Sequence, residues 1–321
     1  MAATVNETYN NTCVSIEISP ISDLLMSIYI IALVLGLIFN LLTAWPIVQQ
    51  IRSKNVLGVY LLSLSVSDLL YILTMPLWIY YYHHDHKWTL GQGMCRLAGF
   101  FYYSNMYISI YLLCCISIDR CLVVTFPLKV KSFRHCKYAW LICGLIYIFV
   151  MSLHTVVLYT DKNDLMDSQK HCYETYPMTE HVAFFNFLRV GIGFLLPLLV
   201  LAVCYWQILS KVQKSTGVDK QGKRKVKLLS VGVIAIFSIC FAPYHILLLA
   251  RSIAFNRMDK KAYCTFEQAQ HFTFSCTLAL SSLNSIMDPL LYVLVSNVIR
   301  EDMWLCWRNR QTCGEMKCLP F

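Results

Sequence analysis

Two acidic residues, Asp68 and Asp288, lie within long apolar stretches, where a carboxylate is costly and usually functional. Polar side chains at matching depth accompany them, namely Asn40, Asn105, Ser109, Asn284 and Ser285. Two nearby carboxylates in a poor dielectric cannot both ionise cheaply, so this set favours a switch that responds to an ion or a proton. The alternative is a hydrogen-bonded polar core that does not titrate near neutral pH.

Histidines form a second set of titratable residues. In the orientation argued below, all nine except His135 lie outside the membrane or in its outer half. Imidazole ordinarily titrates near pH 6.5, so such residues gain charge on mild acidification and then repel or recruit carboxylates. The candidate proton-sensing residues are His83, His84, His86, His171 and His271, with Glu174 and Glu267 as acidic partners. Each histidine alone has a simpler interpretation as a solvated or packing residue.

The elements that position these groups are seven apolar stretches, near residues 24–48, 57–82, 96–121, 138–159, 182–209, 228–253 and 266–293. Each is long enough to supply the roughly 20 apolar residues of a membrane-spanning helix. The predicted fold is an all-α membrane protein, a seven-transmembrane helix bundle followed by a short amphipathic helix. We expect a tail at 1–23, the bundle at 24–295, and an amphipathic helix with a tail at 296–321.

Composition and charge support a multi-pass membrane protein. The chain is 57% hydrophobic and only 14% charged, too apolar for an ordinary soluble domain. Most of its 27 Lys and Arg residues fall in the loops on the side of the C-terminus. This asymmetry predicts an extracellular N-terminus at the plasma membrane. The same asymmetry accounts for the net charge of +9. We therefore do not expect nucleic acid as a partner.

The tails carry candidate modification sites. Asn6 and Asn10 begin glycosylation triplets, which are useful only if the N-terminal tail faces the lumen or the outside. Cys306, Cys313 and Cys318 follow the last span, where palmitoylation and free thiols are equal alternatives.

Four of the 15 cysteines lie outside or at outer helix ends, where disulfides form: Cys13, Cys95, Cys172 and Cys264. Three pairings are possible, and the residues alone do not choose among them. We predict Cys95–Cys172, which would hold the loop before the fifth span over the bundle, and Cys13–Cys264.

Ordered motifs across the spans resemble the rhodopsin-like (class A) G-protein-coupled receptors over essentially the whole chain. They are Gly36-Leu37-Ile38-Phe39-Asn40, Leu64-Ser65-Val66-Ser67-Asp68, Asp119-Arg120-Cys121, Pro197 with Tyr205, Phe237 with Cys240-Phe241-Ala242-Pro243, and Asn284 with Asp288-Pro289-Leu290-Leu291-Tyr292. The fourth span departs from the pattern, because Tyr147 occupies the position of the usual tryptophan.

This resemblance implies a receptor that activates heterotrimeric G proteins. Asp119 is then the expected neutralising partner of Arg120, and breaking that pair requires a new partner for the buried guanidinium. The resemblance also implies a sodium ion among Asp68, Asn105, Ser109, Asn284 and Ser285; no other cofactor is predicted. The remaining residues of the predicted switch are Tyr205, Phe237, Phe241, Pro243, Pro289 and Tyr292. The prolines remove helical hydrogen bonds and permit bends.

The residues of the spans restrict the chemical class of the ligand. The third span has no acid between Arg96 and Ile118, which argues against an amine, and Ser282 replaces the lysine that binds retinal in opsins. Around Trp88-Thr89-Leu90-Gly91 and Tyr244-His245, the chain resembles the proton-sensing receptor group, most of all the member linked to lysophospholipids and oxidised fatty acids.

We therefore predict a receptor for protons, for an anionic lipid, or for both. Arg189 and Arg251 are candidate cations for a lipid carboxylate or phosphate, unless Arg189 pairs with an acid of the receptor itself. The remaining candidate pocket residues are Phe101, Tyr102, Met106, Tyr244 and His245. Alternatives are a lipid receptor without physiological pH sensing and, remotely, a polytopic transporter. An enzyme is not expected, because no nucleophile, base and orienting group stand on facing helices.

Overall fold

The computed structural model describes residues 21–130, 134–160, 172–173, 178–214 and 220–295. Its helices follow the predicted spans closely. They are α1 (Ile21–Arg52), α2 (Val56–Ile72), α3 (Met75–His83), α4 (Gly91–Thr125), α5 (Pro127–Val130), α6 (Cys136–Thr160), α7 (Glu180–Val190), α8 (Leu196–Lys214), α9 (Lys220–Ile236), α10 (Ala242–Arg257), α11 (Lys260–Ser282) and α12 (Asn284–Val295).

Six continuous helical stretches among the described residues are long and apolar enough to cross a membrane. The seventh predicted span is divided at Leu283, whose N–H donates to the carbonyl of Leu280 at 3.1 Å. The part after this turn, α12, has only 12 residues, and α11 carries many polar side chains. The two helices form the seventh span together, and the predicted seven-transmembrane bundle is confirmed.

The bundle separates a polar interior from an apolar exterior. α1 packs on α2 and α12, while α4 packs on α2, α6 and α8 and so occupies the centre. Asn40, Asp68 and Asp288 are fully buried, whereas Leu41 and Trp45 on α1 remain more than half exposed. Exposed apolar side chains are expected on helices whose outer surface contacts hydrocarbon, because lipid does not penalise them. The functional residues therefore lie inside the bundle.

Two of the predicted proline bends coincide with π-helical segments. Gly191–Leu195 joins α7 to α8 just before Pro197, and Phe237–Phe241 joins α9 to α10 just before Pro243. Proline has no N–H to donate, so the helix there tolerates an extra residue per turn. Pro289 lies inside α12.

Candidate functional site

The end of the bundle at which α4 begins is covered by a disulfide-tethered segment. Cys95, in the first turns of α4, is bonded to Cys172, so this predicted bridge is confirmed. The following residue, Tyr173, lies directly on Gly99, where a Cβ atom would come within 2.0 Å of the tyrosine ring. Only glycine permits that approach. The bridge and this contact together hold the segment against α4.

Cys264, near the start of α11, is also disulfide-bonded. Its predicted partner, Cys13, lies outside the described residues, so that pairing stays a prediction.

The structure brings together two of the predicted histidines. His86 is completely buried in the turn before α4, and its ring lies 6.0 Å from the ring of His271 on α11. The rings of Tyr81 and Tyr82 lie 5.2 and 5.0 Å from His86. His83 and His84, by contrast, are exposed. Among the described histidines, His86 and His271 are therefore the one buried pair whose rings approach each other.

A deeper group of aromatic residues surrounds Tyr107 on α4. The Tyr107 hydroxyl lies 3.2 Å from Nε2 of His245, and its ring is 5.5 Å from the ring of His154. The ring also lies against Gly193, where a Cβ atom would be only 2.5 Å away. His245 in turn stacks on Phe194, with ring centroids 4.5 Å apart. Tyr107, on the third span, thus contacts residues of the fourth, fifth and sixth spans.

Arg189 on α7 is the cation of an otherwise apolar cavity. The cavity has a volume of about 170 Å³ and is lined mainly by apolar residues, such as Phe149 and Leu153 on α6 and Ile192 in the π-helical segment after α7. The guanidinium donates to Asn186 at 3.2 Å and lies 5.0 Å from the centre of the Tyr103 ring. Among the described residues it contacts no carboxylate. The arrangement places a cation beside apolar surface, in a volume smaller than the roughly 300–1,000 Å³ of typical ligand pockets.

Arg251 is arranged differently from Arg189. Its guanidinium holds both carboxylate oxygens of Glu267, with contacts of 2.8 to 3.0 Å, and lies 4.0 Å above the Phe274 ring. Tyr263 donates a further hydrogen bond to Glu267. Both charged side chains are buried, so each needs a counter-ion. Of the two predicted ligand cations, Arg251 is already neutralised by an acid of the chain itself.

The other predicted pocket residues do not line the cavity beside Arg189. The Tyr102 hydroxyl bonds to the carbonyl of Leu278 and to Ser281, at 2.8 and 2.6 Å, and so ties α4 to α11. Met106 and Tyr244 are buried, and Phe101 is partly buried beside Phe100.

The predicted acidic core is assembled by three spans. The Asn105 amide donates to Asp68 Oδ1 at 2.9 Å and to Ser67 at 3.1 Å, and Asn284 donates to Asn105 at 3.4 Å. Four buried oxygens have no hydrogen-bond partner among the described residues: Asp68 Oδ2, Ser109 Oγ and both carboxylate oxygens of Asp288. Ser285 is occupied structurally, since its carbonyl accepts from Asn40. Unsatisfied carboxylate and hydroxyl oxygens are the donor set that a hard cation requires.

At the opposite end of the bundle, the expected pairing of Asp119 with Arg120 is wrong for the described residues. Arg134, just before α6, binds both oxygens of Asp119, with Nε–Oδ1 at 2.7 Å and the second contact at 2.9 Å. The bidentate geometry suits the planar guanidinium and raises the pKa of Arg134. Arg120 is left with a buried Nε that has no hydrogen-bond partner in the described part of the chain.

The remaining switch residues form an aromatic connection through the bundle. Phe237 stacks on Phe194 at 5.3 Å and contacts Phe241 at 5.6 Å, and Phe194 stacks on His245. Tyr205 accepts a hydrogen bond from Ser117 at 2.8 Å. Ring contacts therefore run from His245 through Phe194 to the π-helical segment of the sixth span.

Comparison with known proteins identifies this architecture. Residues 39–292 match the family "7 transmembrane receptor (rhodopsin family)". The chain belongs to this receptor family.

Several curated relatives cover nearly the whole receptor. It is 37% identical to probable G-protein coupled receptor 132 of Mus musculus, over 95% of this chain and 81% of the relative. It is 35% identical to G-protein coupled receptor 68 of Bos taurus, over 93% and 82%, and 31% identical to G-protein coupled receptor 65 of Homo sapiens, over 92% and 89%. The receptor is thus a multi-pass membrane protein that couples to G proteins and not an enzyme, and the transporter alternative is wrong.

Three residues important to the receptor's site were not predicted. Tyr107 lies four residues after Tyr103, so helical spacing placed it on the face that reaches Arg189. Arg134 appeared in the sequence only as one of several loop cations. Tyr263, four residues before Glu267 on α11, is the third unpredicted residue, and the same spacing could have indicated its bond.

Several predictions fall outside the described part of the receptor. These residues are Asn6, Asn10, Cys13, His171, Glu174, Cys306, Cys313, Cys318 and the side chain of Tyr292. Their predicted glycosylation, acylation and sensing roles stay predictions.

Proposed function

We propose that the receptor lies in the plasma membrane with its N-terminus outside and is activated by extracellular acidification. The observation that carries this proposal is the buried contact of His86 with His271. Two unit charges 6.0 Å apart repel by on the order of 3 kcal/mol at an effective dielectric constant of about 20. Protonating both rings therefore favours a conformation that separates the turn before α4 from α11.

The direction of the response follows from proton linkage. Acid favours whichever conformation binds more protons, and the separated conformation accepts a second proton more readily. Because imidazole ordinarily titrates near pH 6.5, activity should rise as the pH falls from about 7.5 to 6. The resemblance to the proton-sensing receptor group, and the similarity to receptors 132, 68 and 65, support the same function.

The proposed orientation has two independent supports. The basic residues are concentrated in the loops at the Arg134 end of the bundle, as expected for a cytoplasmic surface. The Cys95–Cys172 disulfide lies at the other end, and disulfides persist in oxidising compartments.

A matched pair of variants tests the proton-sensing proposal. His86→Gln with His271→Gln should flatten the dependence of second-messenger output on pH between 5.5 and 8. His83→Gln with His84→Gln changes two exposed histidines and should leave most of the response. Replacing all five candidate histidines, including His171, should remove whatever remains. A five-fold variant with the wild-type pH profile would overturn proton sensing and favour a receptor for lipid alone.

We further propose that the receptor binds an anionic lipid, with its carboxylate or phosphate at Arg189. The support is a cation without an acidic partner among the described residues, at the edge of an apolar cavity. Arg189→Gln should weaken the response to a lysophospholipid or an oxidised fatty acid at least ten-fold while leaving activation by acid. Lys261→Gln is the charge-matched control, because it removes one positive charge from an exposed position at the same end of the bundle as Arg189. Equal losses in both variants would contradict a specific site.

We also propose that the acidic core holds a sodium ion. Asp68, Asn105, Ser109 and Asn284 would bind it, with Asp288 beside them, because their unsatisfied oxygens fit a hard cation. Bound there, the ion supplies positive charge that lets the carboxylates stay ionised. Sodium should therefore oppose activation, and Asp68→Asn should abolish the dependence of agonist affinity on sodium.

A further inference from the structure

Two contacts place Tyr81 of α3 between the proposed proton site and the disulfide-tethered segment. Its ring lies 5.2 Å from the ring of His86, and its hydroxyl accepts a hydrogen bond from the backbone N–H of Cys172 at 3.3 Å. All three residues are buried, with exposed fractions of 0% to 1%. A buried amide of the tethered segment is thus satisfied by a side chain that packs on a proposed sensor.

The Tyr81 ring is closely surrounded by other aromatic rings. Those of Trp78 and Trp88 lie 6.2 and 5.8 Å away, and that of Tyr82 lies 5.3 Å away. Close-packed interiors transmit a displacement, because their side chains have no empty volume to move into. A displacement of the turn before α4 is therefore passed to the Tyr81 hydroxyl and to the amide bonded to it.

The disulfide-tethered segment also reaches the proposed lipid cation. Tyr173 follows Cys172, and its ring lies directly on Gly99 and 5.7 Å from the ring of Tyr103. The Tyr103 ring in turn lies 5.0 Å from the Arg189 guanidinium. Contacts therefore continue from the proposed proton site, through the tethered segment, to the proposed lipid site.

The groups around His86 decide where a new charge acts. The rings that face it are those of Tyr81, Tyr82 and His271, at 5.0 to 6.0 Å. Its chain neighbours Asp85 and Lys87 are exposed, so water and salt screen them. On α11, Glu267 lies one turn before His271 and is held by Arg251. A second proton on the two histidines therefore acts by repulsion at the turn, beside Tyr81.

We propose that Tyr81 couples the two proposed sites, so that acid and lipid each strengthen the response to the other. This inference rests on the proposed proton and lipid functions. Both ligands are proposed activators, and ligands that favour the same conformation bind cooperatively. By linkage, the factor by which acid raises the affinity for lipid also describes how lipid raises the affinity for protons. Tyr81 is a positioning residue, which acts through its contacts with His86 and with the tethered segment.

Lipid binding by the purified full-length receptor at two pH values tests this coupling. The probe is radiolabelled lysophosphatidylglycerol, because its phosphodiester keeps the same negative charge at about pH 7.5 and pH 6. The wild-type dissociation constant should fall at least five-fold between these pH values. Tyr81→Phe keeps the ring beside His86 and removes only the hydroxyl, so the constant should change less than two-fold. Acid-evoked second-messenger output and saturable lipid binding should both persist in this variant.

Tyr82→Phe is the matched control. The Tyr82 ring lies at a similar distance from His86, 5.0 Å, but it stacks on Tyr29 of α1. Removal of its hydroxyl should leave the wild-type pH dependence of lipid binding. Gly99→Ala tests the other half of the connection, because a Cβ atom there displaces Tyr173, and it should also reduce the pH dependence.

A reciprocal measurement on the wild-type receptor needs no variant that must fold. Saturating lysophosphatidylglycerol should move the midpoint of acid activation to higher pH, and an unmoved midpoint would overturn the coupling.

The other outcomes separate the coupling from the functions on which it rests. Wild-type pH dependence in a folded Tyr81→Phe receptor overturns the role of Tyr81, and so does an equal loss in Tyr82→Phe. A wild-type receptor that responds to acid and binds the lipid equally well at both pH values overturns the coupling alone. A receptor that lacks either response overturns the proposed function and the coupling together.

Discussion

Arg134 holds Asp119 through two hydrogen bonds, at 2.7 and 2.9 Å, and so takes the carboxylate next to Arg120 in the chain. The Arg120 guanidinium is consequently not neutralised by its neighbour through a direct contact among the described residues. Arg120, which we expect to contact the G protein, is therefore not held by Asp119 in this arrangement. We infer that Arg134 influences Arg120 by holding Asp119.

Replacing Arg134 with Gln should lower signalling in the absence of ligand. Freed from Arg134, Asp119 can neutralise Arg120 and stabilise the uncoupled state. A partly exposed, charge-assisted pair contributes about 1 kcal/mol, so we expect roughly a five-fold reduction in basal G-protein activation at equal surface expression. Lys137→Gln is the control for removal of a nearby charge. Increased basal activity in Arg134→Gln would contradict this account.

Arg120→Ala should abolish G-protein activation while leaving surface expression largely intact. The side chain is partly buried near the end of α4 that lies beside Arg134, and it has no hydrogen bond through Nε that truncation would break. Nucleotide exchange on purified G protein, together with surface labelling, measures both properties. Wild-type signalling from a well-expressed Arg120→Ala receptor would rule out this role.

The Arg251–Glu267 pair should show strong coupling in stability. Arg251→Gln leaves a buried carboxylate without its counter-ion, a change that typically costs about 3–5 kcal/mol. The double variant with Glu267→Gln removes both charges and should recover most of the lost thermal stability. A double variant less stable than either single variant would show that the pair does not act as one unit.

Asp68→Asn and Asp288→Asn should each shift the pH dependence towards higher pH. An asparagine resembles a protonated carboxyl group, so each change supplies in advance the neutral side chain that acid would otherwise produce. If activation favours that protonation, less acid is needed for the same output. Titrating second-messenger output against pH gives the midpoint. A midpoint moved to lower pH would reverse the assigned direction.

Peptide mapping under non-reducing conditions should recover Cys13 linked to Cys264. The structure shows Cys264 in a disulfide, and Cys95 and Cys172 are bonded to each other. Closing so long a loop constrains the unfolded chain by a few kcal/mol, so Cys264→Ser should also lower thermal stability. A peptide that joins Cys13 to Cys95 would contradict the pairing.

The amino-acid sequence by itself determined the spans and the receptor family, whereas the structure selected Cys95–Cys172 among three possible pairings. These properties depend on apolar run length and on short motifs such as Asp119-Arg120, which are local in the chain. It also placed Asp68, Asn105 and Asn284 in one polar core, because their depths follow from helix length. The turn at Leu283 is the exception, since we predicted one continuous span there although Ser282 and Asn284, which favour turns, flank this residue.

Only the tertiary structure decided which charges meet. Whether Arg251 contacts Glu267, and whether Asp119 contacts Arg134 or Arg120, depends on the rotation of each helix about its axis and on the course of the loops. The same applies to His86 and His271, which come from different spans and meet only after the bundle closes. Burial then selects these pairs, because a charge or imidazole removed from water is stable only beside a suitable partner.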